Sequence, residues 1–438
     1  GHSSHPENAV LLLGVEMDLL TDVLPSPFTR GRQHQLKFQL ILSEAAQLFN
    51  WQGSRATTLA DVAGRLNLTK TCLYYYVNNK QDLVYQCYVS SCKMWLDHAQ
   101  QASQAPGSGL DKIVSMIAVH LEQYAASLEG EAPHFAMMTE VSSLDESHRE
   151  DIFHRWSEIF ELCRVMVIQG IDESAIDEVD PAVVTLAIFS IIQWFPVWLN
   201  RKHVVNIKAV ATSVLDIAVN GLSSQSLELK QTTLPNIAHE NADSFDREEQ
   251  NKGKREAFYR VGSIYFNQKG YKGTSLDEIA RSLDVTKGAF YYHIRNKEEL
   301  LYQCFERTLG IERRLLEEAG KSAISGLKKV GQALHYLVNI QLSDQGPLIR
   351  YRSLPSLDEP HRKSVLKASK RNSDQLGAYI RQGFDDGTLR DIDAEIAQHI
   401  LSGAIEASPD LVDWVEVASG VQLSNDYLNI FINGLSRK

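Results

Sequence analysis

The sequence predicts an all-α protein assembled from two copies of one unit, and three observations carry that prediction. The dodecamer TKTCLYYYVNNK at 69–80 returns as TKGAFYYHIRNK at 286–297, 217 residues later. Apolar residues recur at helical spacing, and no convincing strand-like alternation interrupts them. Thr, Ser and Gly stand where helices would have to begin and end.

The repeat is much longer than the dodecamer. From Thr58 to Cys87 the copies align without a gap at an offset of 217, with 13 of 30 positions identical. Farther on, SLDESHR (143–149) returns as SLDEPHR (356–362) at an offset of 213. Gln169-Gly170, Asp180, Pro196 and the NGLS of 220–223 keep that second register. Coincidence does not hold one offset across five landmarks, so the whole unit is duplicated, with one net change of four residues.

Within each unit the elements follow in order. LKFQLILSEAAQLFNWQG has helical spacing and closes on Gly53, a natural C-terminal cap. Thr58, or Ser275 in the second copy, caps a second helix. After a break of two residues, Thr69 or Thr286 caps a third, expected over 69–77 and 286–294. Ser143 and Ser356, each with a Glu three residues later, read as capping boxes that open longer helices. The junction SSQSLELKQTTLPNIAHENADSFDREEQNKGK (223–254) is polar and contains a proline, so it reads as a linker with a flexible-chain span of about 30 Å. The division that results is an N-terminal arm (1–29, its GHSSH resembling an expression remnant), a first head (30–87), a first body (88–225), a linker (226–251), a second head (252–304) and a second body (305–438).

Charge separates heads from bodies. The chain carries a net −11, yet residues 30–87 hold seven Lys/Arg against three Asp/Glu, and 252–304 hold ten against six. Two basic islands in an acidic whole suit nucleic-acid-touching modules on a regulatory scaffold. Five cysteines without a CxxC pair fit reduced thiols in a cytoplasm. The fourteen histidines are scattered singly, so no metal or other cofactor is expected. The longest apolar run, VVTLAIFSIIQWFPVWL (183–199), is short for a membrane span and holds Gln193 and Pro196.

Two short helices joined by a tight turn, the second offering Lys and Tyr outward, describe a helix-turn-helix. At these residues the chain resembles the tetracycline-repressor (TetR) family of bacterial transcription regulators. TSLDEIARSLDVTKGAFYYHIRNKEELL follows the family pattern almost throughout. TTLADVAGRLNLTKTCLYYYVNNKQDLV departs at Thr71 and Cys72, and Ser54 replaces an aromatic after Gly53, which leaves the first copy's base preference open. The resemblance implies two tandem units, each a three-helix head plus a helical regulatory body. By position it implies that Thr58, Thr69, Lys70, Thr71, Tyr74, Tyr75 and Lys80 meet double-stranded DNA. The second set is Ser275, Thr286, Lys287, Gly288, Tyr291, Tyr292 and Lys297. Lys80 and Lys297 would meet phosphates, and Leu73, Val77, Phe290 and Ile294 would be core.

The resemblance also implies that the bodies hold effector pockets and pairing helices. Phe135, Met138, Trp156, Trp194 and Trp198 are candidates to line a pocket for a small apolar effector, against the plainer reading of ordinary core. Trp194, Phe195, Val197 and Trp198 correspond to Ala407, Ser408, Asp410 and Leu411, so one face is aromatic in the first body and small or polar in the second. Arg350 and Arg352 around Tyr351 read as solvated surface sooner than as an anion site. Two heads in one chain are most simply a covalent dimer reading an imperfect palindrome, with a homodimer of chains as the alternative. No catalytic elbow, phosphate loop or dinucleotide fingerprint is present, so an enzyme is not expected. A helical ligand-binding or scaffold protein that has lost DNA binding is the remaining rival.

Overall fold

A computed structural model describes residues 27–229, 232–237, 247–322, 324–415 and 420–437. Among these residues there is no strand, only two isolated β-bridges. The expected arm lies outside the described residues up to position 26.

The first head is α1 (Pro27–Gln52), α2 (Leu59–Arg65) and α3 (Lys70–Leu73). The second is α10 (Arg247–Gly273), α11 (Leu276–Ser282) and α12 (Lys287–His293). Each head closes on a small apolar centre. Ile41, Ala45, Phe49, Val62, Leu73 and Val77 are buried in one, and Phe258, Phe266, Ile279, Phe290 and Ile294 in the other. Gly53 ends α1 with φ +78°, a left-handed backbone that favours glycine, and α10 breaks at the matching Gly270 with φ 68°. Thr58 caps α2 through a reciprocal bond with Asp61, and Ser275 caps α11.

A long fourth helix leaves each head: α4 (Lys80–Gln104) and α13 (Lys297–Ser322). The expected head–body boundaries at 87/88 and 304/305 therefore fall inside continuous helices. The first body continues with α5 (Gly109–Glu129), α6 (Glu146–Asp172), α7 (Pro181–Trp198), α8 (Arg201–Val204) and α9 (Ile207–Asn220). The second has α14 (Gly326–Leu342), α15 (Glu359–Asp385), α16 (Ala394–Ala407), α17 (Leu411–Trp414) and α18 (Gly420–Asn433). The four-residue register change is one turn of helix, since α5 has 21 residues and α14 has 17.

The SLDE segments behave differently from the expectation. Asp145 and Asp358, not Ser143 and Ser356, cap α6 and α15, each accepting from the backbone N–H three residues on. The serines instead finish a preceding 3₁₀ turn. Asp is as good an N-cap as Ser, and here it also sets a carboxylate at the positive helix end.

The two bodies pair through α7 and α9 of one unit against α16 and α18 of the other. Gly403 is the close approach: a Cβ there would stand 2.9 Å from Trp194. The aromatic face of the first body thus fills the small face of the second. Trp198 stacks on His399 at 5.0 Å within the same interface. This two-sided burial explains why α7 is apolar all round: 72% of its membrane-like stretch is inside the protein.

The repeated NGLS segments lock the pair with a near two-fold relation. Leu222 and Ser223 donate backbone N–H groups to Ile432 O, while Leu435 and Ser436 donate to Ala218 O and Val219 O. Gly221 and Gly434 face each other so closely that a Cβ on either would come within 2.5 Å of the opposing backbone. Arg390, paired with Asp216 at 3.0 Å, has no counterpart, because its equivalent in the first unit is Asp177.

Within the segment expected to be a flexible linker, the described residues 227–229 and 232–237 are anchored. Leu227, Leu229, Leu234 and Ile237 pack against the apolar core, Leu227 and Leu229 over Gly331. His335 Nε2 lies 2.9 Å from Thr232 O, and Arg314 donates to Ile237 O at 3.1 Å. Four apolar residues at irregular spacing suffice to hold an extended chain in a groove, although their polar surroundings read as a linker.

Candidate nucleic-acid interface and effector cavities

The short helices α3 and α12 are held from behind by Leu73 and Phe290, both buried completely. Thr69 and Thr286 cap them by accepting from Cys72 N and Ala289 N. With the apolar side fixed inward, the remaining side chains must point to solvent. Tyr75 and Tyr292 are 80% and 78% exposed, and Tyr74 and Tyr291 about half that or somewhat more, at 51% and 44%. Tyrosines this open on a basic surface have no packing role that would explain them. Thr71 and Gly288 are also exposed, and a Cβ added to Gly288 would meet nothing within 4 Å.

The first recognition helix is shorter than expected. It spans four residues and runs into a turn through Tyr76, whose ring stacks on His34 at 4.5 Å, whereas α12 spans seven. In the second head Lys287 pairs with Asp277 at 2.7 Å, and Tyr291 Oη donates to the same carboxylate at 3.4 Å. That pairing holds the Asp277 carboxyl below its usual range. Sequence reasoning passed over Asp277; the signal was Ala60 in the matching position of the first copy.

Lys80 and Lys297 stand at the first turns of α4 and α13, with their ammonium groups turned toward their own heads. Lys80 Nζ donates to Ser54 O at 2.8 Å, and Lys297 Nζ to Thr274 O at 3.1 Å. Partial burial lowers the pKa of each. The heads also touch the opposite unit. Arg55 lies 4.3 Å over the Tyr271 ring and donates to Ser356 O at 2.8 Å. Gly53 abuts Pro355, and Gly270 abuts Ser142.

Two cavities lie in the bodies. The first, about 350 Å³, is lined by Phe135, Met138, Trp156 and Trp194, four of the five expected residues. Trp198 is not on its wall, being taken up by the stack with His399. The second unit completes this cavity with Arg350, Arg352, Glu406 and Asp410. These arginines are not solvated surface. Arg350 is buried against Asp410 and Glu406, whose charges raise its pKa against the pull of burial. Burial, with the nearby Arg350, lowers that of Arg352 to about 10. Local sequence could not reveal this, because their partners lie far along the chain, Glu406 and Asp410 for Arg350 and the Asn267 carbonyl for Arg352. The second cavity, about 530 Å³, lies in the second body and shares Trp194, Tyr351 and Glu406 with the first.

A capped short helix with its apolar side sealed and its Lys and Tyr outward, set behind a second capped helix, is a helix-turn-helix DNA-binding module, present twice. The sequence pattern of the tetR family of bacterial regulatory proteins matches 41–87 and again 262–304, and that of a tetracyclin repressor-like C-terminal domain matches 106–222. The chain belongs to the TetR family, with two DNA-binding modules in tandem. The TetC protein of transposon Tn10 from Escherichia coli is 40% identical over 63 residues, 14% of this chain and 32% of that protein. The fatty acid metabolism regulator protein of Bacillus subtilis is 21% identical over 176 residues, 39% of this chain and 90% of its own length. Among solved structures, the TetR-family regulator PfmR of Thermus thermophilus is 22% identical, with a TM-score of 0.34, over 40% of this chain and 93% of that one.

Proposed function

We propose that this chain is a ligand-responsive transcriptional repressor that reads both halves of an imperfect palindromic operator from a single polypeptide. The observation that supports it most is the pairing of the two bodies within one chain while both heads keep open tyrosines on a basic surface. Lys70, Thr71, Tyr74 and Tyr75 serve one major-groove half-site, and Lys287, Gly288, Tyr291 and Tyr292 the other. Thr58, Thr69, Ser275 and Thr286 set helix ends against the backbone, and Lys80 and Lys297 meet phosphates on release from their carbonyls. The half-sites lie about 34 Å apart, one turn of DNA. They are alike but not identical, because Thr71-Cys72 faces one and Gly288-Ala289 the other.

The bodies are the sensing part. A small apolar effector fits the first cavity, with its aromatic wall and its closure by the second unit. The continuous helices α4 and α13 carry a change in the bodies to the heads. The protein works in the cytoplasm, where the operator is, without catalysis or a cofactor. Light scattering of the free protein and of its complex with a retained genomic fragment tests the reading. One chain per operator is expected; two chains per operator would mean that pairing between chains, not within one, builds the reader.

A further inference from the structure

The two cavities differ because the duplication diverged at a few inward positions. Trp95 of α4 corresponds to Glu312 of α13, Ile159 of α6 to Asn372 of α15, and Gln193 of α7 to Glu406 of α16. Where the first body has an indole, the second has a carboxyl on the wall of its larger cavity.

Glu312 is poorly provided for. Among the described residues its one hydrogen bond comes from Asn372 Nδ2 at 3.3 Å, and that amide also serves Leu309 O at 3.1 Å. By area it is only half-buried, since it faces the cavity, yet it lies deep enough that desolvation, aided by Glu406, pushes its carboxyl up to about 7. Glu406, by contrast, accepts from Tyr351 N at 2.8 Å and faces Arg350 at 3.6 Å. Lys370 and His399, the basic residues on this wall, are engaged by Asp374 at 2.8 Å and Glu395 at 3.8 Å. Among the described residues Glu312 pairs with no cation. Rings of Phe305, Tyr351 and Trp194 stand on the same wall.

We propose that the cavity of the second body binds an organic cation, a protonated amine on an apolar skeleton, with the ammonium at Glu312 and the skeleton against Phe305, Tyr351 and Trp194. A carboxylate deep in protein is costly without a partner, and an incoming ammonium supplies that partner together with a charge-assisted hydrogen bond. The aromatic faces add attraction for a cation and a dry surface for its skeleton. A neutral ligand gains only the second of these, and an anion is repelled. This deepens the sensing role proposed above, and it assigns the two bodies different ligand classes.

The test is calorimetric titration of the full chain at pH 8, without DNA, using 4-phenylbutylamine, 4-phenylbutan-1-ol and 4-phenylbutyrate. The amine is expected to bind at least about tenfold more tightly than the alcohol. Glu312→Gln should abolish that preference while leaving the alcohol unchanged, with an unaltered far-UV spectrum as the check on folding. An amine no tighter than the alcohol, or a preference that survives Glu312→Gln, overturns the proposal. Because no DNA is present, this outcome is separate from operator binding, whose failure would instead strike the repressor reading.

Discussion

In the first head the ammonium of Lys70 lies 6.0 Å from the ring of Tyr74, and Ala60 stands across the turn. In the second, Asp277 occupies the place of Ala60 and holds Lys287 at 2.7 Å. The same lysine in the same dodecamer is thus free to swing in one copy and oriented in the other. An oriented lysine loses less entropy on meeting a base edge, but its attraction to phosphate is partly cancelled by its carboxylate. If both lysines meet DNA as proposed above, the first head would favour affinity and the second discrimination.

The comparison of the two units breaks most visibly where they interlock. Gly221→Ala and Gly434→Ala should each destabilise by about 3 kcal/mol, because each forces a Cβ into the facing backbone at a positive φ. Gly387 has a similar φ of 74° but open space around it, so Gly387→Ala should cost about 1 kcal/mol. Denaturant melts rank the three, and a large difference between Gly221 and Gly434 would refute the near two-fold relation.

Between the heads, Lys287→Ala and Lys70→Ala should each cost about 1–3 kcal/mol of operator affinity, at different half-sites. Competition binding with each half-site scrambled in turn assigns them. Asp277→Ala should steepen the salt dependence of binding by a slope of up to about 1, and Ala60→Asp should flatten it by as much. If both changes leave the slope alone, the proposed division of labour is wrong. Lys80→Ala and Lys297→Ala should each lower the slope by about 1 if their ammonium groups reach phosphate. An unchanged slope with lowered thermal stability would show that they serve only the Ser54 and Thr274 carbonyls.

The cavities offer a pH-dependent test. Glu312 has its pKa raised from 4.5 to about 7, so the folded protein keeps a proton that the unfolded chain releases. Its contribution to stability is therefore lost as pH rises from 4.5 to about 7 and stays lost above. Glu312→Gln should raise the melting temperature at pH 8 and leave it unchanged near pH 4.5.

Much of this was readable in the sequence because it rests on local chemistry. Cap residues, glycine stops and a repeated apolar pattern define the heads, and the paired landmarks define the duplication. Tyr75 and Tyr292 could be placed outside because Leu73 and Phe290 had to be inside. What escaped depends on contacts between distant segments. Arg350 reads as surface until Asp410 is brought to it, and Trp198 reads as a pocket wall until His399 covers it. Leu227, Leu229, Leu234 and Ile237 look like stray apolar residues until the second body offers a groove. The Ser143 box lost to Asp145, a competition between two good caps that sequence alone does not decide.

The exchange of backbone bonds between 218–223 and 431–436 has one more consequence. Subunits that meet by collision come apart on dilution, and a cell holding a few copies of a regulator is dilute. Here the partner arrives on the same ribosome, always in equal number, at an effective concentration fixed by the tether and not by expression level. No mixed assemblies of the two halves need form. Each half is then released from having to fit a copy of itself, and a change in one is never imposed on the other. Trp194 faces Gly403, whereas the matching positions are Ala407 and Ser190; a symmetric homodimer must repeat each contact, and only separately inherited halves can make the two differ.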